Sequence, residues 1–289
     1  MQLIDPKAFD YTAQNLRLFF RERGFLEVST HHMLSILAAC EDPFNIAHFD
    51  YAGTNWPMPQ TGQMWLEHIL LSNPVLPGVY CMSTSFRQEP NPIPGRHDLI
   101  FPMFEFETHG DINTLRELEA DLLAFLGFGT PPHVLADSTI RKTSCKRFPC
   151  VDYVSFAEKY HTKELSFVHE GYIQKEFGSA CFLERFPEYT SPFWNMKRVG
   201  NTAKKIDVII HGMETIGSAE RSTDPQEMRD RFYSISGGNY AKKLFADFSK
   251  DRVESELNEF LSLDFFPRCG GGIGMTRMIR ALQREGVVR

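Results

Sequence analysis

Gly270-Gly271-Gly272-Ile273-Gly274-Met275-Thr276-Arg277 stands near the end of the chain, and Phe86-Arg87-Gln88-Glu89, followed by Arg96-His97 and Phe101, stands about a third of the way along it. Residues two apart on a strand point to the same face, so Arg87 and Glu89 can address one ligand. The glycines let the backbone approach closely before a helix, predicted to begin near Met275, carries Arg277 into the same space. Either segment alone is common, because glycine runs usually form only turns. Together they predict a site that binds a nucleotide and activates a carboxylate.

Composition predicts a globular, cytoplasmic protein. The chain has 289 residues, 42% of them hydrophobic, which suffices for one large domain or for a domain with a subordinate insertion. Its formal net charge of −6 disfavours nucleic acid as the main partner, because no global positive field is present. No apolar stretch approaches the ~20 residues that span a bilayer, and the N-terminus lacks a secretory pattern. The six cysteines contain no Cys-x-x-Cys pair, as expected of reduced thiols.

Hydrophobic periodicity predicts an α+β fold, in which antiparallel strands are flanked by helices. Helices are expected at about 7–23, 64–71 and 115–126, and residues 225–262 are expected to be largely helical. Strands are expected at 25–28, 79–86 and 99–108, with a loop at 90–95 and a β-hairpin at about 206–216. The segment at about 131–187 is mixed and shows no repeat. We interpret it as an insertion within a single catalytic domain that covers residues 1–289.

The strand pair around Arg87 suits a nucleoside triphosphate. A guanidinium can hold phosphate oxygens bidentately and stabilise charge that develops at an attacked phosphorus. The ring of Phe101 offers a stacking surface for adenine. The alternative interpretation is an exposed hairpin with ordinary ion pairs.

Asp207 and Glu214 lie on opposite arms of the predicted hairpin, so their carboxylates can converge on a hard cation such as Mg²⁺. Arg221 would extend from the same arm as Glu214. A carboxylate pair followed by an arginine fits a metal-bound triphosphate beside a carboxylate substrate. Spacing alone does not exclude a solvated, charged sheet edge.

The same motifs resemble those of class II aminoacyl-tRNA synthetases. The segments around Arg87 and Arg277 look like motifs 2 and 3, and Arg23-Gly24-Phe25-Leu26-Glu27-Val28-Ser29-Thr30 resembles motif 1. The segment from Asp207 to Arg221 is similar to the aspartate and asparagine subgroup. The resemblance covers nearly the whole chain in the right order, and it implies a class II synthetase-like antiparallel sheet, ATP and Mg²⁺ as cofactors, and a homodimer.

The resemblance also implies roles for individual residues. Arg87 would bind the α-phosphate of the nucleotide, and Phe101 and Arg277 would enclose its adenine. Arg96 or His97 would reach the outer phosphates. Glu89 and Glu214 would also contact the nucleotide. Mg²⁺ would be held by Asp207 and Glu214. The amino acid would be bound by Gln63, Glu105, Ser218 and Arg221, with Glu105 near its ammonium group. The candidate catalytic residues are Arg87, Arg277 and Asp42; Asp42 could position an incoming amine or could be a simple turn residue.

The chain departs from the family pattern at several positions. Thr30 is followed by His31 where motif 1 normally has proline, and Thr276 replaces a common acidic residue. Leu66 occupies the position where aspartyl enzymes use a lysine to read the substrate carboxylate. Aspartyl and asparaginyl enzymes carry an anticodon-binding OB domain before the core, whereas motif 1 begins here almost at once. We therefore expect no anticodon-binding domain and consider tRNA an improbable acceptor.

Three functions follow from the resemblance. The first is an AMP-forming ligase that activates aspartate or a relative as an acyl adenylate and transfers it to ammonia or a small amine, as free-standing paralogues of the asparagine synthetase A type do. The second is transfer of an amino acid to tRNA or to a protein. The third is a regulatory paralogue that binds ligand without catalysis, which the retention of Arg87, Glu214 and Arg277 argues against.

Overall fold

The computed structural model describes residues 3–30, 33–36, 46–129 and 147–288. The helices in these ranges are α1 (Pro6–Arg21), α2 (Gln63–Ser72), α3 (Ile112–Phe125), α4 (Tyr153–Lys159), α5 (Phe167–Phe177), α6 (Pro225–Ser234), α7 (Asn239–Phe248), α8 (Lys250–Leu261) and α9 (Met275–Arg284). The strands are β1 (Leu26–Glu27), β2 (His48–Tyr51), β3 (Thr54–Pro57), β4 (Gly78–Phe86), β5 (Ile100–His109), β6 (Cys150–Asp152), β7 (Ala180–Pro187), β8 (Arg198–Val199), β9 (Thr202–Ile210), β10 (Met213–Glu220) and β11 (Arg268–Gly274).

Nine of these strands form one sheet, and the predicted α+β class is confirmed. The order along the sheet is β1-β4-β5-β11-β10-β9-β7-β6, with β8 paired to β9, while β2 and β3 form a separate hairpin. Pairing is antiparallel except at the two ends, where β1 with β4 and β6 with β7 are parallel. Strands distant in sequence therefore meet at the centre, where the C-terminal β11 lies between β5 and β10.

Strand alternation gives the sheet two different faces. On one face, apolar residues of the central strands such as Phe104, Phe106 and Val208 pack against α1, α3 and α9 in the largest hydrophobic cluster. We call this the packed face. The opposite face carries polar and charged residues, and beside it α6, α7 and α8 enclose a second cluster around Trp194 and Phe232. This polar face is therefore where a ligand could lie.

Local signals explain where the predicted helices begin and end. In α1, Pro6 follows the cap residue Asp5, whose carboxylate accepts a hydrogen bond of 2.7 Å from the amide of Ala8. Gly24, with a positive φ of 79°, lies beyond the helix end, where such a conformation costs glycine little. Asp111 caps α3 in the same way as Asp5, through two backbone amides.

The segment predicted as an insertion is described only from residue 147 onward. Its residues 180–187 form β7, which pairs with β9 inside the main sheet, and its helices α4 and α5 pack on that end of the sheet around Phe156 and Ile173. This described part contributes to the core sheet itself. The extent of any insertion, and the single-domain organisation, stay predictions.

Two further expectations concern membranes and thiols. In the described ranges, every helix is too short or too polar to cross a bilayer. Cys81, Cys181 and Cys269 are buried free thiols, and Cys150 is also buried. Cys40 and Cys145 lie outside the described residues.

Candidate active site

A cavity of about 350 Å³ lies on the polar face, above the central strands. It is bordered by residues from β5, β9, β10 and β11 and from the loop that follows β4. Most of the predicted site residues line it: Gln63, Arg87, Glu89, Arg96, His97, Phe101, Glu105, Glu214, Ser218, Arg221 and Arg277. The structure thus brings together residues that are as much as 214 positions apart along the chain, as between Gln63 and Arg277.

The floor of the cavity is a row of paired residues with glycine at its centre. Asp207 pairs with Gly217, Gly217 with Gly272, and Gly272 with Glu105 across four neighbouring strands. Because adjacent strands are roughly 4.8 Å apart, the Cα atoms of Asp207 and Glu105 are separated by roughly 14 Å, and the two residues between them contribute no side chain of their own. We call this row the glycine floor. It can receive a small ligand between two carboxylates.

Glu105 closes one end of the glycine floor. Its side chain accepts hydrogen bonds from the hydroxyls of Thr61 and Ser83 and from the amide of Gly62, the last at 2.8 Å. Burial raises the pKa of Glu105 above its ordinary value, and the three donors oppose that shift. A cation bound beside this buried carboxylate would stabilise its charged form.

A buried ion network lies beyond Glu105. The guanidinium of Arg221 donates to both oxygens of Glu107, at 3.3 and 3.2 Å, and lies 3.6 Å from Glu67. Arg268 donates to the same Glu67 at 2.6 Å. Burial is the main cause that raises the pKa of Glu107 to about 7. With Glu105, the buried set contains three carboxylates and two guanidiniums, so it is one positive charge short of balance when all three carboxylates are ionised.

This network changes the predicted environment of two substrate-binding candidates. Arg221 was expected to bind the distal group of the substrate, but it is 1% exposed and already paired with two carboxylates. The amide nitrogen of Gln63 donates to Glu107 and to the carbonyl of Phe106. Both residues border the cavity, and the bonds described here use Nε and Nη2 of Arg221 and the side-chain nitrogen of Gln63.

Arg87 and Arg277 stand at the other end of the cavity with Phe101. The guanidinium carbon of Arg87 lies 5.3 Å from the centre of the Phe101 ring, and its buried Nε has no hydrogen-bond partner among the described residues. Arg277 donates to the carbonyls of Glu214 and Arg96, at 2.6 and 3.4 Å. The Nε group of Arg87 can donate a hydrogen bond to an anionic ligand in the cavity.

Arg96 and His97, the alternatives for the outer phosphates, both have carboxylate partners. Arg96 forms an ion pair with Glu170 of α5 and also donates to the carbonyl of Gly212, at 3.4 Å. His97 Nδ1 lies 2.7 Å from the carboxylate of Glu89. Glu170, a residue that sequence reasoning did not identify, therefore holds the Arg96 side chain at the border of the cavity.

Asp207 and Glu214, the predicted metal ligands, lie near each other at Gly217. A Cβ atom built on Gly217 would lie 3.0 Å from a carboxylate oxygen of Glu214 and 3.8 Å from one of Asp207, so both carboxylates reach over this glycine. That Asp207 oxygen is buried without a hydrogen-bond partner among the described residues. Burial first, and then the charge of Glu214, raise the pKa of Asp207 to about 7. Two oxygen ligands fit Mg²⁺ when phosphate oxygens complete its shell.

Ser218 does not present its hydroxyl as predicted. It pairs with Gly271, where a Cβ atom would lie 2.4 Å from that of Ser218, so both positions point toward the packed face. The Ser218 hydroxyl donates to the carbonyl of Ile206 at 3.2 Å. Strand alternation is the reason, because Ser218 is two residues from the core residue Ile216. The expected contact between this hydroxyl and an amino acid is therefore not supported.

Two other candidates need separate mention. Asp42 and its loop lie outside the described residues. Leu66 on α2 is fully buried in a small apolar cluster with Val79 and Cys81 of β4. It is not among the residues that line the cavity.

Comparisons with known proteins identify the family of the chain. The profile of the family described as tRNA synthetases class II (D, K and N) matches residues 7–289. The chain belongs to this class II synthetase family. A curated relative, the asparagine–tRNA ligase of Pelotomaculum thermopropionicum, is 28% identical over 91% of this chain and 62% of its own length. The lysine–tRNA ligase of Shouchella clausii is 23% identical over 96% of this chain and 60% of its own.

Solved class II synthetases share the fold. Asparaginyl-tRNA synthetase from Pyrococcus horikoshii, complexed with asparaginyl-adenylate, superimposes with a TM-score of 0.74 at 17% identity, over 96% of this chain and 64% of that one. A putative aspartyl-tRNA synthetase from Leishmania major gives a TM-score of 0.73 at 15% identity, over 96% and 61%. The chain spans about three fifths of the length of the curated relatives it matches.

Sequence reasoning missed five charged residues at or around the site: Glu67, Glu107, Glu170, Lys205 and Arg268. Glu107 carried a usable signal, because it is two residues after Glu105 on a strand and shares its face. Lys205 carried the same kind of signal, because it is two residues before Asp207 on a strand and shares its face. Glu67 and Arg268 are 201 residues apart and carry no local pattern that would connect them.

Proposed function

We propose that this chain is an ATP-dependent, AMP-forming ligase that activates the carboxylate of an amino acid as an acyl adenylate. The observation that carries the proposal is the single cavity, which joins Arg87, Phe101 and Arg277 at one end to the glycine floor and Glu105 at the other. A nucleotide and a small zwitterion can lie there side by side. Holding both reactants in one geometry removes much of the entropic barrier to their reaction.

The charge of the buried network supports an amino acid as the second substrate. When its three carboxylates are ionised, the network of Glu67, Glu105, Glu107, Arg221 and Arg268 is one positive charge short of balance. The ammonium group of an amino acid beside Glu105 would supply that charge. Since a buried unpaired carboxylate is costly, binding the ammonium is favourable.

In the activation step, an oxygen of the substrate carboxylate attacks the α-phosphorus of ATP. The bond from that phosphorus to the bridging oxygen breaks, and pyrophosphate leaves with the bond electrons. Arg87 would hold the α-phosphate and stabilise the charge that develops on it. Asp207 and Glu214 would hold Mg²⁺, which neutralises charge on the triphosphate when it is bound.

For the second step we propose ammonia or a small amine as the acceptor. The nitrogen attacks the acyl carbon, AMP leaves, and a proton is released. The net charge of −6 supports a small acceptor, because tRNA binding normally draws on a positive surface. Transfer to tRNA is the alternative, and it is favoured by the relatives, which are tRNA ligases by name. We further propose a cytoplasmic location and a homodimer.

Pyrophosphate exchange tests the proposal. The protein is incubated with ATP, Mg²⁺ and individual amino acids, and AMP and pyrophosphate are measured with and without ammonia. Ammonia-dependent amide formation supports the first acceptor, whereas labelled tRNA product supports the alternative. The Arg87→Ala variant should lose at least about 100-fold in exchange rate, since it loses a contact made mainly in the transition state. No exchange with any amino acid would refute the ligase function.

A further inference from the structure

We propose that Arg280 of α9 is a positioning residue, which holds the loop between β4 and β5 in the place where that loop can bind the triphosphate. This role rests on the proposed function, because it assigns a part in nucleotide binding to a residue outside the cavity lining. The contacts between α9 and the loop carry the inference.

The loop, residues 87–99, supplies much of the nucleotide end of the cavity. Its residues that line the cavity are Arg87, Glu89, Arg96, His97 and Asp98. At its base, the amide of Arg87 donates to the carbonyl of Leu99 at 2.7 Å, and near its tip the amides of Arg96 and His97 donate to the carbonyl of Ile93 at 3.0 and 2.9 Å. These backbone bonds lie within the loop, so they fix its shape but not its place over the cavity.

Helix α9 contacts the loop from outside. The guanidinium of Arg280 donates to the carbonyl of Gly95 at 2.7 Å and lies 3.6 Å from the carboxylate of Asp98. Arg277, three residues earlier and therefore on the same helix face, donates to the carbonyl of Arg96 at 3.4 Å. Arg280 thus contacts the loop on both sides of the two residues that are candidates for the outer phosphates.

Helix α9 is a rigid support for this contact. Its residues Met278, Ile279 and Leu282 are buried in the largest hydrophobic cluster, on the packed face of the sheet. Closely packed interiors hold their elements in place, whereas surface loops are more mobile. Arg280 therefore connects a surface loop of the site to the core of the molecule.

The two arginines of α9 should act in different ways. Arg277 lines the cavity, so its loss would remove a contact with the nucleotide as well as a contact with the loop. Arg280 does not line the cavity, so its loss should affect the nucleotide only through the loop. Its side chain is 31% exposed, which limits the strength of its ion pair with Asp98.

Pyrophosphate exchange with the amino acid that the wild type activates measures the effect on the nucleotide. Arg280→Met should raise KM for ATP about fivefold, a change in the range expected from a lost hydrogen bond to a charged group, and should leave KM for the amino acid unchanged. Arg280→Lys should restore part of the loss, because an ammonium can still donate to the carbonyl of Gly95. Equal rises in both KM values would overturn the inference.

Trypsin measures the position of the loop without any need for activity. Trypsin cuts after arginine, and Arg96 lies at the tip of the loop. Because cleavage requires local opening, Arg280→Met should be cut after Arg96 at least about three times faster than the wild type, with fragments identified by mass spectrometry. An unchanged rate of cleavage would refute the role of Arg280 while leaving the ligase function standing.

Arg284→Met is the matched control on the same helix. Arg284 donates to the carbonyl of His211, between β9 and β10, at 3.0 Å. This variant removes the same charge from α9 without touching the loop at 87–99, so KM for ATP and cleavage after Arg96 should stay near those of the wild type. Equal effects in the two variants would show that the charge or stability of α9 matters instead. The absence of exchange by the wild type with every amino acid would refute both the ligase function and this role.

Discussion

Gly270 and Gly272 lie two residues apart on the polar face of β11, but a side chain at each position would meet different atoms. A Cβ atom on Gly270 would lie 2.1 Å from a Glu107 oxygen and 2.2 Å from the backbone oxygen of Phe106. On Gly272 it would lie 2.7 Å from the terminal methyl of Met103, which can move. A side chain at position 270 would therefore clash with the backbone and with the buried ion network, whereas a side chain at position 272 would clash only with a flexible side chain.

Alanine substitutions at these glycines should separate stability from binding. Gly270→Ala should lower the free energy of unfolding by about 1–3 kcal/mol, the usual cost of overpacking. Gly272→Ala should cost less than about 1 kcal/mol but weaken amino-acid binding, because its methyl group stands on the glycine floor. Denaturant unfolding and calorimetry measure the two effects. Similar stability losses in both variants would contradict this assignment.

Glu119 on α3 should make stability depend on pH. It is fully buried against the packed face, and burial is the main cause that raises its pKa to about 8 from an ordinary 4.5. Between these values the folded state keeps a proton that the unfolded chain releases. The free energy of unfolding therefore falls as pH rises, by up to about 1.4 kcal/mol per pH unit from this residue, and levels off above about pH 8.

Glu119→Gln removes this titration while nearly preserving shape. Relative to the wild type, the variant should gain stability steadily as pH is raised from about 5 to about 8. Glu107, whose pKa is also raised, titrates in both proteins and cancels in the difference. Denaturant unfolding across this pH range gives the measurement, and parallel curves for the two proteins would refute the prediction.

At the scale of elements, sequence patterns predicted the helices well and the central strand poorly. The periodicity of α1 and α3 is local, and both helices were predicted to within about three residues at each end. β11 contains four glycines in seven residues and lacks a strand pattern. Its conformation is set by pairing with β5 and β10 on both sides, which no local signal reveals.

The same distinction applies to the site. Arg87, Glu214 and Arg277 belong to motifs that the chain carries in order, so the cavity could be predicted from them. Contacts such as that of Arg96 with Glu170, 74 residues away, depend on how α5 packs and could not. The orientation of the Ser218 side chain could not be predicted for a third reason, because a motif position does not state which face of a strand it occupies.

Helix α5 should control the nucleotide end of the site through Glu170. One oxygen of Glu170 accepts from the guanidinium of Arg96 and, at 2.8 Å, from the amide of Glu214. Glu170→Ala releases both segments at once, and hydrogen bonds to a charged group contribute roughly 1.5–3 kcal/mol each. We expect KM for ATP to rise about tenfold or more, with KM for the amino acid little changed, in pyrophosphate exchange.

Glu176→Ala is the control on the same helix. Glu176 binds Tyr160 and Lys159, away from the cavity, so the variant perturbs α5 without touching Arg96 or Glu214. It should leave both KM values near those of the wild type. If the two variants behave alike, Glu170 acts only through the stability of α5.

At the scale of the whole molecule, helix α1 and the edge strand β1 each carry exposed apolar side chains. Tyr11 and Leu18, seven residues apart on α1, are 42% and 48% exposed, and Leu26 on the edge strand β1 is 49% exposed. Arg17 joins α1 to β1 through an ion pair with Glu27 at 2.9 Å. Such a surface on an edge strand fits a second copy of the chain, as the resemblance to motif 1 implies.

Leu26→Lys should therefore dissociate a homodimer. The wild type is expected to sediment with twice the chain mass of 33.2 kDa at micromolar concentration, and the variant with that of a single chain, because a buried unpaired ammonium opposes association. Val199→Lys is the matched control, since Val199 is 59% exposed on β8 near the other end of the sheet. It should leave the dimer intact. A wild type that sediments as a monomer would refute the homodimer. A control that dissociates to the same extent as Leu26→Lys would contradict an interface on α1 and β1.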